Sequence, residues 1–174
     1  MKTILLEKTG SVRKNLEVLE KKIHVKIVLK GRLVSISGEE LNEYLASQVI
    51  EALSLGFTQE DALLLLEPDF IFEKLEIKNF TKRHNLAEVR ARIIGKNGKT
   101  KKLVEDLSEC CVCLHDNFVG VIGESERIKI AIQALIKIIQ GSKQSSVYAY
   151  LEKQRTIYHP EDLGLKDQVE TEEE

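Results

Sequence analysis

Arg92-Ile93-Ile94-Gly95-Lys96-Asn97-Gly98-Lys99-Thr100 decides how the rest of the chain is read. Two glycines three apart let the backbone come close to a partner, and the lysines beside them select an anionic one. Phosphate is the natural candidate, so the question is whether it belongs to a nucleotide or to a nucleic-acid strand. Spacing separates the two. A P-loop ending at Gly98-Lys99-Thr100 requires a glycine where this chain has Ile93. A P-loop also follows a buried strand, whereas Leu86, Val89 and Ile93 share one helical face.

A second helix leaves the loop, marked by Leu103, Val104 and Leu107, with Lys99, Lys101 and Lys102 in its first turn. Free backbone N–H groups point into the same space. Cations there oppose the helix dipole at about 0.3–1 kcal/mol each, a cost that a docked anion offsets. Helix, Gly-x-x-Gly, helix is the backbone clamp of a KH domain, which holds about four nucleotides of single-stranded nucleic acid. In that role Gly95 and Gly98 allow close backbone approach, Lys96, Asn97 and Lys99 hold phosphates, Arg92 and Lys102 flank the strand, and Ile94 and Leu103 line the base groove. Gly-x-x-Gly alone is often a bare turn; the flanking helices and basic residues argue otherwise here.

The surrounding elements complete the unit. Leu75 and Ile77 alternate with charged neighbours, so residues 70–78 read as an opening strand. Cys111, Cys113 and His115 alternate with Val112 and Leu114, and Asp116-Asn117 turns the chain into a second strand at Phe118–Ile122. Ser125 is the expected N-cap of a helix whose apolar stripe is Ile128, Ile132, Leu135, Ile136 and Ile139, stopped by Gly141. The order is β-α-α-β-β-α, the type I KH topology, over residues 70–141.

A second copy emerges when the chain is shifted on itself by 85 residues, since 123−38 and 141−56 are both 85 for the glycine pairs Gly38/Gly123 and Gly56/Gly141. Leu33–Ile36 then falls on Phe118–Val121, and Gly10-Ser11-Val12-Arg13 falls on the clamp, with Arg13 in place of its second glycine. Too few residues precede Gly10 for a full strand and a full helix. Residues 1–57 therefore read as a degenerate KH-like unit serving packing or protein contact. Val12, Leu16, Leu19 and Ile23 keep a helical face, and Val25, Ile27 and Leu29 a strand. Residues 58–69 form a short helical connector: Thr58 and Asp61 make a capping pair and Pro68 ends the helix. Its apolar stretch Leu63–Leu66 implies two units docked on each other. Val147, Tyr148 and Leu151 mark a C-terminal helix over 142–158, with Lys153 and Arg155 available to extend a nucleic-acid track, and residues 159–174 form an acidic tail expected to be disordered.

The fold class is thus α+β, two tandem KH-like units plus a C-terminal helix. The 43% apolar share supports this without extra staples. A net charge of −2 conceals a local +8 between Lys78 and Lys102, where nine cations face Glu88 alone. Cys110, Cys111, Cys113 and His115 crowd into one strand whose side chains alternate faces, so they cannot converge on a zinc ion; they read as small strand residues, and no metal or cofactor is expected. Free thiols fit a reducing compartment, and without a signal peptide, transmembrane run or basic nuclear cluster the expected location is cytoplasmic. The four histidines fall in different elements and no catalytic constellation stands out, so an enzyme is not expected.

With its eroded first unit, its second-unit phrase Ala-Arg-Ile-Ile-Gly-Lys-Asn-Gly-Lys-Thr-Lys-Lys and the later Ser145-Ser146-Val147-Tyr148-Ala149-Tyr150-Leu151-Glu152, the chain resembles the archaeal members of the Krr/partner-of-Nob family over residues 1–155. That resemblance implies a non-enzymatic small-subunit assembly factor binding the 3′ region of small-subunit ribosomal RNA. It also implies contact with the rRNA maturation endonuclease and with the alpha subunit of translation initiation factor two. Two readings compete with it: a protein-interaction scaffold with a vestigial loop, and a nucleotide-binding enzyme using Lys99 and Thr100.

Overall fold

The computed structural model describes residues 1–160, and its strands and helices follow the periodicities above. Alternating residues form β5 (Cys111–His115) and β6 (Phe118–Glu124), joined through Asp116 in the left-handed region at φ 49°. Aspartate tolerates that conformation better than most side chains. β4 (Phe70–Glu76) pairs with the other edge of β6, giving an antiparallel sheet of order β4-β6-β5. Helices α4 (Leu86–Ile94), α5 (Lys99–Ser108), α6 (Arg127–Gln140) and α7 (Gln144–Tyr158) build the second core with this sheet. The strand–helix–helix–strand–strand–helix order is the one expected for this half.

The start of α6 differs from expectation. Ser125 is not its cap: Glu126 holds the N-cap position without a side-chain capping bond, and the Ser125 N–H donates to the Asp69 carbonyl at 3.0 Å. Ser125 is spent on tying the end of β6 to the segment before β4. The buried face of α6 is also broader than the predicted stripe, taking in Ile130, Ala131, Ala134 and Ile138, because α4, α5 and α7 all pack against it.

The first half contains β1 (Lys2–Leu5), α1 (Gly10–Ile23), β2 (Lys26–Lys30), β3 (Leu33–Ser37) and α2 (Glu40–Leu55), with sheet order β1-β3-β2. The two sheets therefore have the same order. A shift of 85 carries Lys26–Lys30 onto Cys111–His115 and the end of α2 onto the end of α6. Before β2 the correspondence breaks. Leu5 pairs with Leu33 and Glu76 with Phe118; Leu33 and Phe118 are 85 apart, but Leu5 and Glu76 only 71, so the first half is 14 residues shorter there (85 − 71). The missing piece is the first helix with its loop. Gly10–Arg13, expected as an eroded loop, is instead the first turn of α1, and this unit is β-α-β-β-α.

Thr58 caps α3 (Gln59–Leu63), its Oγ1 accepting the Asp61 N–H at 3.1 Å, and a 3-10 turn at Leu64–Leu66 follows.

Period-two alternation also shows how the halves dock. Val112, Val119 and Val121 point into the second core, while Cys111, Cys113, Phe118 and Ile122 belong to the core of the first half. Helix α2 thus serves two sheets. Leu55 and Phe57, at and after its end, lie against Gly120: a Cβ there would overlap Leu55 Cδ2 and come within 2.7 Å of Phe57 Cε2. Phe57 meets Phe72 of β4 edge to face, centroids 6.1 Å apart. No helix among the described residues is long and apolar enough to cross a membrane.

Candidate nucleic-acid interface

The junction of α4 and α5 is a tight, left-handed turn. Gly95 (φ 75°), Asn97 (φ 54°) and Gly98 (φ 73°) all have positive φ, and the Gly98 N–H donates to the Gly95 carbonyl at 3.2 Å. The two glycines serve different ends. A Cβ at Gly95 would overlap Thr100 Oγ1 and come within 2.6 Å of Thr100 Cβ, whereas one at Gly98 would meet nothing within 4 Å. The close approach at Gly95 is taken by the chain's own Thr100; Gly98 answers to its φ alone.

Thr100 is buried, and its hydroxyl lies 3.3 Å from Tyr148 Oη and accepts from Gln144 Nε2 at 3.2 Å. Helix α7 thereby holds the loop from behind. The same bonds occupy the hydroxyl that a P-loop would turn to a magnesium ion, so Thr100 serves the packing of α7 against the loop. Neither Thr100 nor Ser108, whose Oγ donates to the Val104 carbonyl at 2.6 Å, was expected in the core. Their four-residue spacing with Val104 was the available signal, hidden by polar side chains.

The basic run divides into anchored and unengaged members. Arg83 pairs with Glu88 at 3.0 Å, Arg90 donates to Asn117 Oδ1 at 2.8 Å, and Lys101 pairs with Glu105 at 3.1 Å. Arg92, expected to flank a strand, donates to the Ser142 carbonyl at 2.7 Å, clasping the end of α6 where free carbonyls favour a cation. Lys96, Lys99 and Lys102 are exposed and have no ion pair or side-chain hydrogen bond among the described residues. They lie in the loop and the first turn of α5, whose N-cap Gly98 offers no side chain to the turn; the Lys99 N–H donates to the Lys96 carbonyl. Arg155 is elsewhere: it lines a crevice with Glu109, Arg127 and His159 at the other end of α5, about 15 Å along the helix from the clamp.

Ile94, 40% exposed although apolar, opens onto a groove of about 360 Å³ beside the loop. It is lined by Lys101 and Glu105 of α5, by Cys113 and Leu114 of β5, and by Thr58 and Asp61 of the connector. Leu103 is half-buried on α5 and outside this lining. The connector's contribution was not foreseen, because nothing local in residues 56–61 reports a neighbour some 40 residues on.

The thiols have no metal-binding arrangement. Cys113 Sγ donates to the Leu55 carbonyl at 3.5 Å and Cys111 Sγ to Asp61 Oδ1 at 3.4 Å, so both bridge the two halves. Burial, with nearby carboxylates, pushes Cys110 up to about 11 and Cys111 up to about 12, which keeps them protonated at neutral pH. Among the described residues Glu7, His115 and Asp116 alone bring ligand atoms within 4.8 Å of one another, and two of these three are exposed carboxylates of a kind common without an ion.

Comparison with known proteins places the same part of the chain in a family. Residues 71–156 match the second KH domain of PNO1 proteins, a eukaryotic-type (type I) KH domain, and the match extends through most of α7. A KH domain-containing protein of Methanocaldococcus jannaschii is 29% identical over 159 residues, covering 87% of this chain and 69% of the relative. The pre-rRNA-processing protein PNO1 of Coccidioides immitis is 37% identical over 105 residues, 59% of this chain but only 41% of that protein. Thus the chain spans about half or less of that relative's length. Among solved structures, Dim2p of Pyrococcus horikoshii superposes with TM-score 0.80 at 29% identity, covering 87% of this chain and 98% of that one. Dim2p from the same organism in a complex with a/eIF2alpha and rRNA gives TM-score 0.80 at 28% identity, over 90% and 94% of the two chains. The chain carries a type I KH domain of the PNO1 family and is a homologue of the PNO1/Dim2 rRNA-processing proteins.

Proposed function

We propose that the protein is a non-enzymatic, cytoplasmic RNA-binding factor of small-subunit assembly, and that residues 70–141 clamp single-stranded RNA through Gly95–Gly98. The observation that carries the reading is the grouping of Lys96, Lys99 and Lys102, unengaged by any described residue, around the uncapped N-terminus of α5. Three unengaged cations in the loop and first turn of one helix, at the positive end of its dipole, suit a phosphate backbone. Asn97, exposed at the tip, adds amide donors, and Ile94 gives a base an apolar surface without an aromatic ring. Lys102 flanks the strand; Arg92 supports the clamp through α6.

The kinship with PNO1 and Dim2p supports the 3′ region of small-subunit rRNA as the target. The rRNA maturation endonuclease and the alpha subunit of translation initiation factor two are the corresponding protein partners, the latter in keeping with the Pyrococcus horikoshii complex. The test is the double substitution Lys96→Asp, Asn97→Asp in the full chain. Binding to a single-stranded RNA from that region should vanish while the circular dichroism spectrum persists, and unchanged affinity would refute the clamp. Wild-type affinity should also fall steeply with salt.

A further inference from the structure

The groove beside the clamp contains a carboxylate that phosphate binding leaves without a purpose. Asp61 lines it from α3 and has no ion pair among the described residues; its one side-chain hydrogen bond comes from the Cys111 thiol at 3.4 Å. A thiol is a weak donor and leaves most of the carboxylate's accepting capacity unused. Glu105, which also lines the groove, is committed, because its Oε1 takes both Lys101 Nζ at 3.1 Å and the Val112 N–H at 2.9 Å. An idle carboxylate next to a bound phosphate chain weakens binding by repulsion unless it receives hydrogen bonds from the same ligand. Single-stranded RNA offers such donors at the base edges.

Chemistry narrows which bases suit the site. Cytosine, adenine and guanine each present an exocyclic amine on the Watson–Crick edge, and uracil alone has none. The pairing of carboxylate with an exocyclic amine is the one by which Asp and Glu read cytosine in nucleic acids. Lys101, which also lines the groove, is paired with Glu105 at 3.1 Å and keeps ammonium hydrogens to donate to an acceptor on the base edge. Uracil presents a carbonyl oxygen where cytosine has its amine, and so sets an acceptor against a carboxylate. The groove's volume of about 360 Å³ lies within the range of ligand clefts, roughly 300–1,000 Å³.

We propose that Asp61 is a base-reading residue: the groove between the connector and the KH domain takes an unstacked base whose exocyclic amine donates to Asp61, as cytosine's does, and disfavours uracil. The inference rests on the RNA-clamp reading above and deepens it. It also gives the docked first half a part in recognition, since its connector supplies a wall that the KH domain lacks.

The test compares oligocytidylate with oligouridylate of equal length, titrated into the full chain by fluorescence anisotropy. Length, charge and ring size are matched, so a difference reports the base edge. The cytidine oligomer should bind about tenfold tighter, in line with the discrimination carried by one specific base contact. Asp61→Asn, which presents an amide donor as well as an acceptor, should bring the ratio close to one, and Asp61→Ala should do the same with an unchanged circular dichroism spectrum. Equal wild-type affinities for the two oligomers, or a ratio that survives Asp61→Asn, overturn the inference and leave the clamp standing. Binding of neither oligomer overturns both.

Discussion

The two halves share a sheet order, a hairpin, a closing helix and an 85-residue offset, yet only one of them has a Gly-x-x-Gly turn between two helices. The difference is an insertion of 14 residues between the first strand and the following helix, as the registers Leu5/Leu33 and Glu76/Phe118 require. Removing it leaves a sheet whose inner face still buries Val34 and Ile36 completely. Binding chemistry in this architecture is therefore separable from folding chemistry. The outer faces diverge as well. In the first sheet Lys26, Val28 and Lys30 meet solvent, while their counterparts in the second, Cys111, Cys113 and His115, are partly buried. One half lacks the Gly-x-x-Gly turn, and the connector that follows it lines the groove of the other.

The largest effect should come from charge placed in the two aligned four-residue segments, Gly95–Gly98 and Gly10–Arg13. Lys96→Asp with Asn97→Asp is expected to cost at least about a hundredfold in RNA affinity, roughly 2.7 kcal/mol. Ser11→Asp with Arg13→Asp, in the exposed first turn of α1, should leave affinity unchanged in the same titration. A loss in both would mean that the first half also touches RNA.

The aligned glycines Gly10 and Gly95 should respond with opposite sign. Gly95→Ala forces a side chain into φ 75° and onto Thr100, and should lower stability by about 2 kcal/mol in thermal or urea unfolding. Gly10 opens a helix, and a Cβ there meets nothing within 4 Å, so Gly10→Ala should raise stability by about 0.4–1 kcal/mol. Gly120 and Ser35 make the next pair, 85 apart on the central strands. Gly120→Ala drives a methyl into Leu55 and Phe57 and should cost about 1–2 kcal/mol, whereas Ser35→Ala on the uncovered sheet should stay within about 0.5 kcal/mol. Equal costs would show that the halves are not docked through this face.

These contrasts mark what local sequence can and cannot convey. The helix at 86–94, the hairpin after Cys110, the Thr58 cap and the repeat offset were all legible because each depends on residues within a few turns of one another. Three features were not. Arg92 reads as one more cation of a basic run, and only its contact with Ser142, 50 residues on, makes it a brace for α6. Thr100 reads as the end of a nucleotide motif until Tyr148, 48 residues on, claims its hydroxyl. Ser125 reads as a cap because serine favours that position, but its backbone is bound to Asp69 and the helix begins later. In each case a long-range contact settled a choice that propensity left open.

The smallest effect at neutral pH, and the most selective probe of the docked face, is the titration of Cys111. Its folded-state value is pushed from 9.0 up to about 12 by burial and by Asp61, while in the unfolded chain the thiol ionises at its ordinary value. The unfolded state therefore releases its proton first as pH rises, and stability should fall from about pH 9 upward, with no contribution below it. Other groups titrate in that range too, so the informative quantity is the difference between wild type and Cys111→Ala. The two unfolding free energies should run parallel from pH 6 to 8 and then converge or cross as wild type loses stability faster. Lys26, the aligned residue of the first sheet, is exposed, and Lys26→Ala should leave the wild-type curve's shape unaltered over pH 6 to 10. If Cys111→Ala also leaves the shape unaltered, its strand is as open to solvent as β2, and the asymmetry between the two sheet faces fails.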